Sequence, residues 1–452
     1  MTQRTTQPLS FSSSGRRVVH ADFSGGDITS DAGTLLLREV DQNLGLIAAL
    51  DRVIPDPRQP DLITHPQSTL LAQRIFGIAA GYEDLNDHQQ LRKDPLWQTL
   101  TDHPETNNGQ DLASAPTLCR LENRIDNATL FQMAKVLVDK FIASYAVPPD
   151  QLTLDLDATD FEIHGHQQKR FFHGYYDSYC FLPLYIFCGT RLLVAYLRPS
   201  KNDASRHVRG ILKLLISQLR VAWPNVRITL RGDSGFCRWR LMQWCDHNDI
   251  RYIFGLARNP ILERLAEPLT RMVEDYHRRD KRTYRVYESC HYGATTWDRP
   301  RRVIIKAECL GGEAPKRNPR FVVTNLAGDA RELYEQVYCE RGEMENRIKE
   351  QGQLFATRTS CHLFRANQFR VLLAASAYVL MEHLRRVGLE GTEMEKAEVR
   401  TIRSKLFKIG GWVQKTVRRI MVRMASSCAW REVFEEVLER LTRRQPARIT
   451  SG

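Results

Sequence analysis

The sequence predicts an α/β fold in which helices flank a mixed β-sheet. Apolar residues recur three and four positions apart from about Gly33 to Tyr145, as in helices. The segment Val147–Asp150, which contains two prolines, ends that pattern. Residues 152–157 then alternate between Leu and Thr or Asp, which is typical of a strand with one apolar face. These observations predict a helical N-terminal region followed by a sheet.

The elements after the first strand follow from local signals. Apolar runs at 181–188 and 192–197 are separated by Gly189-Thr190, which favours a hairpin. Residues 207–221 have helical spacing, and residues 226–230 form the next strand. A further short strand is predicted at 251–256. Because strands and helices alternate after one hairpin, the sheet is expected to be mixed.

The remaining residues are predicted to be a β-rich insertion and two helical segments. Short runs rich in Tyr, Val and Ile lie among Gly, Pro and Arg between 258 and 325. Helices are predicted from Ala330 to about Val387, and a basic helical segment from Ile402 to about Arg443. The predicted division is a flexible arm at 1–32, a helical domain at 33–148, an α/β core at 149–257 and 326–388, a β-rich insertion at 258–325 and a basic helical C-terminal region at 389–452.

Composition indicates an ordinary globular protein of the reducing cytosol. The chain has 452 residues, of which 42% are hydrophobic and 26% charged. The longest apolar run, Val371–Met381, is far shorter than the roughly 20 residues of a membrane span. The ten cysteines are scattered without a CxxC pair or zinc spacing, which favours free thiols. We therefore expect a cytoplasmic protein without membrane spans.

The charge favours a polyanionic partner. The formal net charge is +12 and the isoelectric point is near 9.3. The net charge is −6 over residues 1–150, +10 over 151–400 and +8 over 401–452. Nucleic acid is the commonest polyanion that such proteins bind, although a basic protein of this size can also bind nothing in particular. Charge alone leaves both interpretations open.

Carboxylates at the ends of predicted strands point to a chemistry. Asp155 and Asp157 face the same way from the first strand, and Asp233 follows a later one. Glu345 lies on a predicted helix. Magnesium ions prefer oxygen ligands, and two ions about 4 Å apart can activate the attacking oxygen and stabilise the leaving oxygen in phosphoryl transfer. Two strand-end aspartates and one helix glutamate could provide such a site.

The helix that carries Glu345 has an unusual polar face. Tyr338, Arg341, Glu345 and Lys349 are three, four and four positions apart, so an α-helix would place them on one face. A ladder of ion pairs, each worth a few tenths of a kcal/mol, is the alternative explanation. Spacing alone does not decide between the two.

The motifs together resemble those of DDE transposases of bacterial insertion sequences, most closely insertion-sequence family thirteen-eighty. Asp157-Ala158-Thr159 is similar to the Asp-small-Thr motif of these enzymes, and Tyr338, Arg341 and Glu345 match a Tyr-x2-Arg-x3-Glu signature. Other similar segments are His164-Gly165, His173–Tyr176 and Arg231–Phe236. Related branches carry a lysine seven residues after the glutamate. Gly352 stands there in this chain, so Lys349 is the expected substitute.

The resemblance implies an RNase H-like core that cleaves DNA at transposon ends and joins the ends to target DNA. It assigns Asp157, Asp233 and Glu345 as catalytic ligands of two Mg²⁺ ions, with Mn²⁺ as a possible substitute. The expected DNA contacts are Tyr338, Arg341, Lys349, Trp297 and Arg299. It also implies a bacterial cytoplasmic protein, nucleoid-associated when on DNA. The implied partners are double-stranded DNA, comprising terminal inverted repeats and target, and a second protomer on paired ends, while residues 33–148 are candidates for binding those ends.

Three alternatives stay open at this point. Asp155 shares the strand face of Asp157 and is its rival, although the following Ala158-Thr159 favours Asp157. The protein could be an RNase H-like nuclease or resolvase that cuts without joining. It could also be a non-catalytic DNA-binding derivative of a transposase, which the presence of all three carboxylates disfavours.

Overall fold

The computed structural model describes residues 8–101, 111–201, 205–311, 316–416 and 418–443. Parts of the predicted arm, helical domain, core, insertion and C-terminal region fall in the intervening or terminal gaps and lie outside the described residues. The strands are β1 (Leu9–Ser14), β2 (Arg17–Ala21), β3 (Ile28–Thr29), β4 (Gln151–Ala158), β5 (Phe161–Glu162), β6 (Phe171–His173), β7 (Ser178–Phe181), β8 (Leu184–Cys188), β9 (Arg191–Tyr196), β10 (Arg227–Gly232), β11 (Arg251–Leu256), β12 (Tyr284–Tyr292), β13 (Arg301–Leu310), β14 (Lys316–Arg317), β15 (Arg320–Thr324), β16 (Gly411–Lys415) and β17 (Ile420–Met424).

The helices are α1 (Leu35–Leu44), α2 (Leu46–Val53), α3 (Gln67–Ala80), α4 (His88–Leu91), α5 (Pro95–Leu100), α6 (Ala115–Arg124), α7 (Asn127–Ala143), α8 (Val208–Ala222), α9 (Trp239–His247), α10 (Pro260–Asp280), α11 (Ala330–Glu332), α12 (Gly342–Gln353), α13 (Phe364–His383), α14 (Val399–Ile402) and α15 (Arg431–Arg443). Leu333–Tyr338, Leu384–Gly388 and Arg403–Phe407 are π-helical, and Ala32–Thr34, Pro60–Leu62 and Cys339–Arg341 are 3₁₀-helical. None of the helices within the described ranges is both long and apolar enough to cross a membrane.

The chain divides into two compact units. The terminal unit comprises Met1–Ile47, Asp56–Leu121 and His383–Gly452, and the central unit comprises Ala48–Pro55 and Glu122–Glu382. Both ends of the chain therefore belong to the same unit. Each unit is described by itself below.

Buried polar contacts join the N- and C-terminal segments within the terminal unit. The carboxylate of Asp31 is fully buried and accepts hydrogen bonds from Tyr82 Oη at 2.5 Å and Trp97 Nε1 at 3.1 Å. It also pairs with Lys408 Nζ at 2.7 Å. A Cβ atom on Gly33 would lie 1.7 Å from the carbonyl oxygen of Leu406, so only glycine permits this approach. The two segments thus share one core.

The helical prediction for Ile402–Arg443 is wrong over residues 411–415 and 420–424. Strands β16 and β17 form an antiparallel hairpin there, and β16 also pairs with β3. The apolar residues of this segment fit helical spacing, but Gly410-Gly411 interrupts a helix. Val413 lies opposite Val422 across the hairpin, and such cross-strand contacts stabilise the sheet. The prediction is confirmed at the two ends of the segment, by the helical residues 402–407 and by α15.

The central unit is built on one large mixed sheet, which confirms the predicted α/β class. The strand order is β12-β13-β15-β11-β10-β4-β8-β9, and β14 pairs with β13. Strands β4, β10 and β11 are parallel, whereas β8, β9 and β15 run antiparallel to their neighbours. Strands β12, β13 and β15, which lie within residues 258–325, extend this sheet beyond β11. A separate small sheet has the order β5-β7-β6.

The apolar face of β4 fixes the direction of its acidic residues. Leu152, Leu154 and Leu156 are buried in the main core of the central unit, together with residues of α8 and α9. Because successive side chains of a strand point to opposite faces, Asp155 and Asp157 lie on the other face of the sheet. The alternation predicted from the sequence thus places both carboxylates on one side.

Candidate active site

The register of two parallel strands brings charged side chains together. Arg231 of β10 lies opposite Asp155 of β4, and Gly232 lies opposite Leu156. The next residues along these strands are Asp233 and Asp157. Neighbouring strands are about 4.8 Å apart, so the two carboxylates leave the carboxyl edge of the sheet side by side. One face of the sheet therefore carries the Arg231–Asp155 pair and, two residues further along the strands, the carboxylates of Asp233 and Asp157.

The ion pair is buried and also holds a neighbouring helical segment. Arg231 donates through Nε and Nη2 to the two carboxylate oxygens of Asp155, the second bond being 2.9 Å long. Nη1 of Arg231 donates to the carbonyl oxygen of Val337 at 2.5 Å and lies 3.4 Å from Oε2 of Glu340. Asp155 is therefore committed to Arg231, which supports the choice of Asp157 as the reactive carboxylate.

Asp157 is a buried carboxylate with an altered pKa. It is 8% exposed, and its Oδ1 accepts a hydrogen bond from the backbone of Ala158 at 2.8 Å. Burial raises its pKa to about 6; Arg341, at 2.8 Å, opposes this rise, and the negative charges of Asp233 and Glu345 add to it. Since the pKa of Asp157 responds to both other carboxyl groups, the three acids predicted from the sequence form one electrostatic cluster.

Asp233 is positioned by a turn at the end of β10. Its Oδ1 accepts a hydrogen bond from the backbone of Gly235 at 2.8 Å, and Phe236 anchors the turn in the core. The phenol of Tyr338 packs on Gly255 of the neighbouring strand β11. A Cβ atom on Gly255 would lie 2.7 Å from Tyr338 Oη and 3.2 Å from the carbonyl carbon of Asp233. Burial raises the pKa of Tyr338, and Asp233 adds to this rise. Tyr338 thus lies beside Asp233.

The segment that carries Glu345 is not one uniform α-helix. It passes from π-helix through a 3₁₀ turn into α12, which begins at Gly342. Arg341 points inward to Asp157 and also lies 3.9 Å from Oε1 of Glu345. The side chain of Glu345 is 61% exposed, and Lys349 is exposed as well. The predicted common face therefore divides into an inner part with Tyr338 and Arg341 and an outer part with Glu345 and Lys349.

The donor atoms of the cluster suit a divalent cation. Asp157, Asp233 and Glu345 offer only carboxylate oxygens, the ligands that Mg²⁺ and Mn²⁺ prefer. Burial raises the pKa of Asp157 even though Arg341 lies against its carboxylate. Over the described ranges, no three His, Cys, Asp or Glu side chains are gathered closely enough to hold a metal ion. The three carboxylates therefore suit a divalent cation in their chemistry but are not gathered around one position in this structure, where Arg341 is the counter-charge of Asp157.

Trp297 and Arg299 lie in the connection between β12 and β13, two strands of the same sheet. The indole of Trp297 is half-buried and packs edge-on against Tyr292, with ring centroids 5.5 Å apart. Arg299 pairs with Asp246 at 2.7 Å. Arg301 is buried and donates to Tyr252 Oη at 2.7 Å, so the basic residues here also serve the fold. The predicted DNA contacts of Trp297 and Arg299 stay predictions.

We expect Trp297→Ala to slow release of a transposon end while leaving first-strand nicking nearly unchanged, if Trp297 stacks on a displaced base. Loss of the contact with Tyr292 should also lower the free energy of unfolding by about 1–3 kcal/mol, less than a fully buried aromatic. Gel assays of nicking and end release, together with urea unfolding, separate the two effects. Trp297→Phe is the matched control because it keeps a ring against Tyr292. An equal loss of nicking and release would make Trp297 a structural residue.

Arg341→Ala is expected to weaken DNA binding and to reduce the slope of log K against log salt by about 1, the slope of one phosphate contact. The physical reason is that its guanidinium lies at the carboxylate cluster, where a DNA phosphate would approach. Fluorescence anisotropy over a range of salt concentrations measures the slope. Arg251→Ala, at an exposed position at the start of β11, is the control. An unchanged slope with reduced thermal stability would favour a purely structural ion pair with Asp157.

Two residues of the site have roles that the sequence did not indicate. Arg231 belongs to a recognised motif, but its pairing with Asp155 depends on the register of two strands about 75 residues apart, and no local signal gives that register. Gly255 lies in an otherwise apolar strand. Position 255 requires glycine because Tyr338 packs directly on it, which only the structure reveals. An isolated glycine within a strand pattern was the available clue, because it marks close approach of another group.

Side-by-side carboxylates at the edge of a mixed sheet, with a third on a helix, define a candidate site for cation-dependent chemistry. Residues 11–446 match the protein family described as Transposase DDE domain group 1, so the chain belongs to this family. Members of this family generally use divalent metal ions. The predicted DDE transposase class is thereby confirmed at the level of the family, and membership of insertion-sequence family thirteen-eighty stays a prediction.

Several solved structures are similar to this chain, and one of them is a transposase. No curated protein matches the chain. The structure is similar to the cryo-EM structure of the piggyBac transposase synaptic complex with hairpin DNA, with 11% sequence identity and a TM-score of 0.40. That similarity covers 92% of this chain and 86% of the other.

Proposed function

We propose that this protein is a DNA transposase that cleaves the ends of an insertion sequence and joins them to target DNA. The observation that carries the proposal is the register of β4 and β10, which brings Asp157 and Asp233 to the same edge of the sheet, where Arg341 lies against Asp157 and 3.9 Å from Glu345. Membership of the DDE transposase family agrees with it. Among the five sheet strands β4, β8, β9, β10 and β11, one aspartate is on the first strand and the other follows the fourth. This order supports the proposed RNase H-like core.

Asp157, Asp233 and Glu345 would hold two Mg²⁺ ions, for which Mn²⁺ could substitute. When bound, such ions activate the attacking oxygen and stabilise the leaving oxygen of phosphoryl transfer. The chain itself orients the site: the turn at Asp233 and the β4 backbone hold two carboxylates at the sheet edge. Arg341, which neutralises Asp157 in this structure, would then be available to a DNA phosphate.

The partners belong to the same proposal. Double-stranded DNA carrying terminal inverted repeats, and then target DNA, are the proposed substrates, and the net charge of +12 favours them. Exposed Lys349 would contact phosphates beside the cleaved bond, and Trp297 and Arg299 would contact the end region. The proposed assembly has two protomers on paired ends, and residues 33–148 are the candidates for end binding. The proposed location is the bacterial cytoplasm, with association with the nucleoid when the protein is on DNA.

A plasmid-capture assay tests the proposal. The full chain is mixed with pre-cleaved duplexes from the ends of its element, supercoiled plasmid and Mg²⁺, and joined products are counted on gels. A transposase joins ends to the plasmid, whereas a nuclease or resolvase only cuts, and a non-catalytic derivative binds without either reaction. Glu345→Gln and omission of the divalent cation are the matched controls. Cutting without any joining would contradict the proposal.

A further inference from the structure

The small sheet β5-β7-β6 presents aromatic rings to solvent. At one end of the sheet the register partners Phe161 and Phe181 are buried in the interior of the central unit. At the other end Phe172 and Tyr179 are register partners whose rings pack edge-on with centroids 5.7 Å apart. They are 54% and 47% exposed, and the nearby Tyr175 is 85% exposed. We call Phe172, Tyr175 and Tyr179 the aromatic face.

One cation lies on the aromatic face and a second lies on the neighbouring Phe171. The guanidinium of Arg170 lies 4.8 Å from the ring centroid of Tyr179. The ammonium of Lys201 lies 5.5 Å from the ring centroid of Phe171, which is itself partly exposed. Rings with cations on them suit a ligand that has both flat apolar groups and negative charge.

The aromatic face lies close to the carboxylate cluster. Strand β5 begins four residues after Asp157. Burial raises the pKa of Tyr176 to about 12, and the charges of Asp160 and Asp157 add to it, so Tyr176 lies within electrostatic range of the proposed catalytic residue. The rings of Tyr175 and Tyr176 pack edge-on at 5.0 Å. Tyr175 of the aromatic face is therefore in ring contact with Tyr176, whose pKa responds to the charge of Asp157.

Hydrogen bonds hold this sheet in place. The backbone N–H of Gln168 donates to the carbonyl oxygen of His362 at 2.9 Å. The side-chain amide of Gln167 donates to the backbone carbonyl oxygen of Thr359 at 3.2 Å. Ser200 Oγ donates to the carbonyl oxygen of Phe171 at 2.8 Å. Residues 359–362 follow the helix that carries Glu345. The aromatic face is thus positioned before any ligand binds, which lowers the entropic cost of binding.

We propose that the aromatic face binds the unpaired bases of a DNA strand that leads to the carboxylate cluster, with Arg170 and Lys201 contacting its phosphates. Every base has a flat face, and stacking on an aromatic side chain contributes about 1–3 kcal/mol per base without sequence preference. Bases inside a duplex are already stacked, so only an unpaired strand can use this surface. The proposal rests on the proposed function for the identity of the polyanion.

This surface is distinct from Trp297. Trp297 packs on Tyr292 in the connection between β12 and β13, whereas the aromatic face lies between β4 and β8 and has its rings open to solvent. Contiguous exposed apolar groups, such as the rings of the aromatic face, are typical of binding surfaces.

Fluorescence anisotropy with a labelled 12-nucleotide oligo-dT and the full chain tests the proposal. Tyr175→Ala should weaken binding about fivefold or more, and Phe172→Ala with Tyr179→Ala should weaken it further, by the stacking contribution of each ring. The salt slope should stay the same in these variants and fall in Arg170→Ala. Tyr276→Ala is the matched control, because Tyr276 is an exposed aromatic residue on α10 and should leave oligo-dT affinity unchanged.

The outcomes separate this proposal from the proposed function. Unchanged oligo-dT affinity in folded Tyr175→Ala and in the double variant overturns the aromatic-face proposal, even if the plasmid-capture assay shows joining. A change of oligomeric state in these variants, without loss of DNA affinity, overturns it too and indicates a protein interface. Ring-dependent oligo-dT binding without joining supports the aromatic face and contradicts the transposase assignment. Photo-crosslinking of 5-iododeoxyuridine oligonucleotides to the peptide of Tyr175–Tyr179 provides a readout that does not depend on affinity.

Discussion

Asp157→Asn should abolish DNA cleavage and joining while DNA binding stays within a few fold of the wild type. A neutral amide oxygen binds a divalent cation much more weakly than a carboxylate because it lacks the negative charge, and the cation contributes several kcal/mol to the transition state. The expected loss in rate is therefore on the order of a thousandfold or more. Single-turnover nicking and anisotropy of the same duplex measure the two quantities. Glu288→Gln, an exposed acid on β12, is the control.

The same substitution should stabilise the protein at neutral pH without divalent cations. The pKa of Asp157 is raised from 3.8 to about 6 in the folded chain. Because the folded state holds the proton more tightly than the unfolded state, stability falls as the pH rises through this window and stays lower above it. Asp157→Asn removes this titration, so the free energy of unfolding above pH 6 should increase by up to about 3 kcal/mol.

Urea unfolding at pH 4 and pH 8 checks the sign. The variant should gain stability relative to the wild type mainly at pH 8, and Mg²⁺ should stabilise the wild type but not the variant. If Asp157→Asn lowered stability equally at both pH values and also lost DNA binding, Asp157 would be a structural residue held by Arg341.

Arg231→Ala should cause the largest loss of stability at the site. It leaves the buried carboxylate of Asp155 without its cation, and breaking a buried pair in this way costs about 3–5 kcal/mol. Arg231→Met combined with Asp155→Leu should recover much of that loss, since apolar residues of similar volume often replace buried ion pairs. Arg227→Ala, on the exposed end of the same strand, is the control for urea unfolding.

The double variant Arg231→Met with Asp155→Leu should still cleave DNA more slowly than the wild type, even though its stability recovers. Arg231 also donates to the carbonyl oxygen of Val337, which precedes Tyr338 and the helix with Glu345. Without that bond the helix is less well positioned, and small displacements of catalytic groups can reduce rates about a hundredfold. Recovery of both stability and cleavage rate in the double variant would show that the Arg231 network serves the fold alone.

The residues of the candidate site could be predicted where the signal was local. The two-residue alternation over 152–157 sets the face of Asp157, and the strand ending before Asp233 sets its position at the sheet edge. Both features depend on neighbouring residues only. The ion pair of Arg231 could not be predicted because it depends on register between distant strands.

Longer-range packing also decided the elements that sequence patterns missed. Residues 411–424 have apolar spacing that suits a helix, yet β16 is completed by β3 from the other end of the chain. The π-helical turn before Tyr338 likewise differs from regular α spacing, and π-helical turns are frequent at functional sites. Tertiary contacts of this kind override local propensity, so periodicity alone gives the wrong element.

An anomalous-scattering map of the full chain bound to a transposon-end duplex and Mn²⁺ tests the two-ion site directly. We expect Mn²⁺ peaks surrounded by Asp157, Asp233 and Glu345, with Arg341 moved from Asp157 towards a phosphate. Two ions of such a site would be about 4 Å apart. Carboxyl groups more than about 8 Å apart around DNA, or Mn²⁺ bound elsewhere, would contradict a two-ion site at these three residues.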